Sequence, residues 1–98
     1  MESLNYSLKK MVIEQCRVRG VTVAQIQNSD PVIGGTGLLQ LDSLDAVEIV
    51  TCLERHLDLK ADSMPLKNMF RSFTELAQFV QTAAPIDKIN AFIELYKN

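Results

Sequence analysis

The chain contains no tryptophan and only 6% aromatic residues, so its core has to be assembled mainly from aliphatic side chains. Histidine occurs once, at His56, and cysteine twice, at Cys16 and Cys52. One imidazole and two separated thiols make no cluster of metal ligands, and the carboxylates are spread along helix faces. No metal site is expected. The cysteines follow no redox or zinc spacing, which leaves two reduced thiols rather than a disulfide framework. No apolar run approaches the roughly 20 residues of a membrane span, and no charged N-terminal segment leads into a hydrophobic stretch. A cytoplasmic protein with no membrane span is expected. A formal net charge of -2 and a pI near 5.3 leave no clustered cationic footprint, which argues against nucleic acid as a partner.

What the chain does have is the composition of a globular domain, 47% hydrophobic and 22% charged over 98 residues. That length suits one core and is too short for a deep cleft between lobes. Leu4, Leu8, Met11, Val12 and Val18 recur at helical spacing and predict a first amphipathic helix from Ser3 to about Arg19, with Gly20 as its left-handed cap. A long connection from Val21 to Leu41 follows, interrupted by Asp30-Pro31 and by Gly34-Gly35-Thr36-Gly37. Val21, Val23 and Ile26 are its candidate anchors, with a short helical turn around Thr22 to Gln27. The glycines do not form a phosphate-binding P-loop, because Leu38 and Leu39 stand where that motif needs lysine and a hydroxyl residue. A structureless loop of this length is uncommon in a compact domain, so it either packs as an ordered loop or moves for function.

The most informative stretch is Gln40 to Leu57. Asp42 is a good N-cap and Asp45 falls in the first turn, so a helix beginning at or beside Ser43 is well signalled. At about 100° per residue, Ala46, Ile49, Val50, Leu53 and Leu57 share one side and make a core stripe. Leu44, Val47 and Thr51 face the other way. An apolar pair turned from the core, flanked by Asp45 and Glu48, reads as a contact surface.

Beyond Leu57, the polar stretch from Asp58 to Asp62 breaks the pattern. Ser63 is a candidate cap and Pro65 suits the first turn of a short helix that points Leu66, Met69 and Phe70 inward. Ser72 and Glu75 form a capping box ahead of the stripe Phe73, Leu76, Ala77, Val80, Ala83 and Ala84. After Pro85, a last helix is expected to carry Ile86, Ile89, Ile93 and Tyr96 on one face, with Phe92 at its shoulder.

Ser43 lacks the equipment of a nucleophilic enzyme. The only histidine lies thirteen residues along the same helix, about 20 Å away, and a general base has to stand within about 3 Å. There is no Gly-x-Ser-x-Gly elbow either. No catalytic residue is assigned, and a chain that is not itself an enzyme is expected. A hydroxyl at a helix entrance is instead well placed to be modified by another enzyme.

Leu41-Asp42-Ser43-Leu44-Asp45, followed by Val47-Glu48-Ile49, resembles the prosthetic-group attachment site of acyl carrier proteins. The resemblance implies an all-α antiparallel four-helix carrier bundle, three helices long and one short, over residues 1–84. Residues 85–98 add a further C-terminal helix to the same domain. It also implies 4′-phosphopantetheine attached covalently to Ser43 by a phosphopantetheinyl transferase, with acyl intermediates carried as thioesters on its thiol and with the linking phosphodiester facing the positive end of the helix dipole and free backbone N–H groups. Acyl-loading and acyl-processing enzymes are then the partners of a monomeric carrier. They are expected to dock on Asp42, Leu44, Asp45, Val47 and Glu48, while Leu53, Leu57, Leu66, Met69 and Phe70 are candidates to line an acyl cavity. Gln40 replaces a glycine common in the family, Arg55 and His56 stand at positions often acidic in fatty-acid carriers, and the C-terminal helix is additional. These departures point to a specialised fatty-acid, lipid or polyketide pathway. A peptidyl or aminoacyl carrier remains open, as does an unmodified helical interaction module.

Overall fold

The computed structural model describes residues 2–34, 39 and 41–97. Among these, five α-helices and no strand are formed. Helix α1 (Glu2–Gln15) buries Leu4, Leu8, Met11 and Val12 completely, and their three- and four-residue spacing puts all four on one stripe. It ends at Gln15 rather than near Arg19. Arg17 adopts φ 54°, and the N–H groups of Arg17 and Val18 return to the carbonyls of Glu14 and Ile13 at 3.4 and 3.0 Å. This Schellman closure stops the helix before Gly20, whose own positive φ of 78° lies at a bend in the connection that follows.

The connection after α1 is packed. Ile26, Val32, Leu39 and Leu41 are buried, whereas Val21 and Val23 are only half-buried, so most of the anchoring lies further along than expected. Lys9, itself buried, donates from Nζ to the Ile26 carbonyl at 2.9 Å. One 3₁₀ turn spans Val23–Gln25. Farther on, Thr74 N–H donates to Asn28 O at 3.0 Å, Phe73 N–H to Asp30 O at 3.3 Å, and Val32 N–H to Phe70 O at 3.1 Å. These bonds give the backbone of an irregular segment partners it would otherwise seek in water. Gly35, Thr36, Gly37, Leu38 and Gln40 lie outside the described residues.

Helix α2 (Ser43–Leu57) buries Ile49, Cys52, Leu53 and Leu57, with Ala46 and Val50 half-buried against the same core. Past a 3₁₀ turn at Ala61–Ser63, α3 is a single turn, Leu66–Met69. Ser63 does not cap it, since its hydroxyl donates to Lys60 O at 2.8 Å. Met69 and Phe70 are buried, but Leu66 is 43% exposed. The inward face of so short a helix runs off the edge of the bundle at its N-terminal end, which leaves Leu66 facing a surface cleft rather than the core.

Helix α4 (Phe73–Ala83) buries Phe73, Leu76, Ala77 and Val80, and Ala83 is exposed. Half of the expected capping box is made: Ser72 Oγ accepts from Glu75 N–H at 3.1 Å. Helix α5 (Ile86–Leu95) packs against α1, α2 and α4. Its buried face is Ile89, Phe92 and Tyr96, while Ile86 is 66% exposed, so Phe92 is at the centre and not at the shoulder. The Phe92 and Tyr96 rings lie 5.0 Å apart, and His56 meets Tyr96 edge-on at 6.2 Å. The last helix thus packs into the same hydrophobic core as the others.

Candidate functional site

The first turn of α2 is held from its own sequence. Asp42 Oδ1 accepts from Leu44 N–H at 3.0 Å and from Asp45 N–H at 3.2 Å, while Asp45 Oδ2 accepts from Asp42 N–H at 3.0 Å. Ala46 N–H makes the first helical bond, to Asp42 O. This differs from the expectation of free N–H groups for a phosphate. Three of the four amides at this end are occupied, and two carboxylates stand beside them. Only the Ser43 N–H lacks a partner among the described residues.

Ser43 is exposed, and its hydroxyl makes no hydrogen bond among the described residues. It is the first residue of the helix, not its cap. Leu44 and Val47 are 76% and 61% exposed, an unusual amount of open apolar surface for consecutive turns of one helix. Asp42 and Glu48 are exposed beside them, and Asp45 is half-exposed. Thr51 continues this face, tied down by its hydroxyl to Val47 O at 2.8 Å.

On the other side of Ser43 lies a cleft of about 480 Å³. Ser43 and Ala46 form its α2 wall, Ile33 of the connection its end, and Leu66 and Phe70 its far wall, with the exposed Lys67 and Arg71 beside them. Of the five residues expected to line an acyl cavity, Leu66 and Phe70 do line this cleft. Leu53 and Leu57 are wholly buried in the core, Met69 is nearly so, and none of the three is among its walls. Ile33, Lys67 and Arg71 carry no site role in the sequence reading, and Ala46 figures there only in the core stripe. Only the Lys67/Arg71 spacing of four hinted at a shared face, and what sets them beside Ser43 is the long-range placement of the connection and α3.

Cys16 closes the site from behind, its thiol donating to Asp45 O at 3.7 Å. Burial, reinforced by the Asp45, Glu48 and Asp42 carboxylates, pushes this thiol up to about 12, so it is a poor nucleophile at neutral pH. His56 sits at the opposite end of α2 in the aromatic corner with Phe92 and Tyr96. No cluster of three or more potential metal ligands occurs among the described residues, and no helix there is long and apolar enough to cross a membrane. Comparison with known protein families, characterised proteins and solved structures found no significant match.

Proposed function

We propose that the protein is an acyl carrier, with 4′-phosphopantetheine attached to Ser43. The observation that carries this reading is the exposed, unbonded Ser43 hydroxyl at the start of a fifteen-residue helix, between an exposed Leu44–Val47 face and an apolar cleft. The residues suit the group. The hydroxyl is reachable, the cleft beside it is apolar, and cations flank it. When bound, the group supplies a thiol on a flexible arm that can hold an acyl chain as a thioester.

In the attachment reaction, Ser43 Oγ forms a bond to the pantetheine-bearing phosphorus of coenzyme A. The pyrophosphate P–O bond breaks, adenosine bisphosphate leaves, and the hydroxyl proton passes to a base of the transferase. This chain contributes an accessible hydroxyl and an address. Leu44 and Val47 offer apolar contact, while Asp42, Asp45 and Glu48 steer partners that present arginine or lysine, in an encounter weakened by salt. Partner enzymes perform the acyl chemistry. The protein acts as a monomer in the cytoplasm, serving a specialised fatty-acid, lipid or polyketide pathway, and an aminoacyl or peptidyl cargo would use the same attachment.

The test is intact mass after incubation with coenzyme A and a broad-specificity phosphopantetheinyl transferase, with Ser43→Ala alongside. The expected result is one added phosphopantetheinyl group in the parent and none in the variant. An unchanged folded parent, with several transferases tried, favours an unmodified interaction module working through Leu44 and Val47.

A further inference from the structure

A phosphodiester on Ser43 meets an unusual charge arrangement. The N-terminus of a helix ordinarily draws an anion through its free amides and positive dipole end. Here Asp42 already accepts from Leu44 and Asp45, and the Asp45 carboxylate closes back on Asp42. A further anion at this end gains little from the amides and is repelled by both carboxylates. A cation from another segment would offset that repulsion.

The cleft beside Ser43 supplies it. Lys67 and Arg71 contribute to its lining together with Ser43, and among the described residues no aspartate or glutamate does so and neither cation belongs to an ion pair. Arg71 Nη2 donates to Asn68 Oδ1 at 3.1 Å, which orients the guanidinium and leaves its other N–H groups available for a phosphate oxygen. Leu66 and Phe70 lie on the same side.

We infer that Lys67 and Arg71 hold the phosphodiester on Ser43, so that the arm leaves across Leu66 and Phe70 and away from the acidic first turn of α2. The inference rests on the carrier reading of Ser43. It makes both cations positioning residues, and it separates two surfaces at one serine: Leu44 and Val47 stay open to partners while the arm lies on the other side.

The test uses the isotope-labelled, phosphopantetheinylated full chain, the same form of Lys67→Gln/Arg71→Gln, and nuclear Overhauser contacts from the arm's gem-dimethyl protons. In the parent at low salt, contacts to Leu66 and Phe70 are expected. They should be lost in the double variant, and lost in the parent near 1 M NaCl, where screening acts within about 3 Å. The salt arm decides the matter even if the double variant folds poorly. Retention of these contacts in a folded variant and at high salt, their absence from the parent, or contacts to Leu44 and Val47 instead, would overturn the assignment while leaving attachment at Ser43 intact. Failure of the mass gain itself removes the carrier reading and this inference together.

Discussion

Asp42 and Asp45 exchange hydrogen bonds across the first turn of α2, each carboxylate accepting from the other residue's backbone N–H, at 3.2 and 3.0 Å. The pair fixes where the helix begins and thereby presents Ser43 as its first residue. Asp42→Ala should therefore cost about 0.5–2 kcal/mol, the usual penalty for losing a cap, with Asp42→Asn recovering most of it. Ser43→Ala removes no bond among the described residues and should stay within about 0.5 kcal/mol of the parent. Urea denaturation of the three variants checks the ordering.

Leu53 and Leu66 distinguish core from cleft. Leu53 is fully buried and Leu66 is 43% exposed, so Leu53→Ala should cost about 2–5 kcal/mol and Leu66→Ala under about 1 kcal/mol. Equal losses in thermal or chemical denaturation would contradict the placement of Leu66 on the cleft wall.

Residues 85–98 should be indispensable to the fold. Ile89, Phe92 and Tyr96 are buried, and the Tyr96 hydroxyl accepts from Gln15 Nε2 at 3.1 Å while lying 3.7 Å from Cys52 Sγ. Truncation after Ala84 would uncover that aromatic corner and strand its polar partners. The expected result is loss of a cooperative unfolding transition, with Phe92→Ala in the full chain costing about 3–5 kcal/mol.

Alkaline pH should weaken the protein. Burial pushes Cys16 up to about 12, with help from nearby carboxylates. Burial and the Cys52 contact push Tyr96 up to about 12, and burial also raises Cys52. In each case the folded state holds its proton more tightly than the unfolded chain. The stabilising contribution is complete below the unfolded values of 9.0 and 10.0 and is lost as pH rises towards about 12. Lys9 acts oppositely, because burial lowers it from 10.5 and folding gains as its proton leaves. The large shifts are those on Cys16 and Tyr96, both upward, so the net effect is a fall. Urea midpoints measured from about pH 8 to about pH 11 should decline, and less steeply in Cys16→Ala/Tyr96→Phe.

Legibility of the chain follows the range of the interactions involved. Asp42, Asp45 and the Ile49–Leu53–Leu57 stripe act within a few turns of one helix, so spacing alone revealed them. Arg17 did not announce itself as the residue that ends α1, because a left-handed arginine has no compositional mark and Gly20 offered a more obvious stop. On α5, the isoleucines suggested a face containing Ile86, whereas packing against α1 and α2 selects Phe92. Lys67 and Arg71 come to line the same cleft as Ser43 through contacts between segments distant in sequence, which periodicity cannot express. The exposed Leu44 and Val47 were readable because their pattern conflicts with the stripe beside them.

The bond from Val32 N–H to Phe70 O gives the cleft a built-in reporter. Phe70 forms one of its walls, and the neighbouring Ile33 forms its end, so this amide spans the seam along which the connection and the α3 region would have to part for the cleft to widen. Val32 itself is almost wholly buried, and its amide exchanges with solvent only when that seam opens. Where closing outpaces exchange, the rate of this one backbone proton reports the fraction of time the seam is open, and slower exchange on loading the cleft would show that its occupant holds the seam closed.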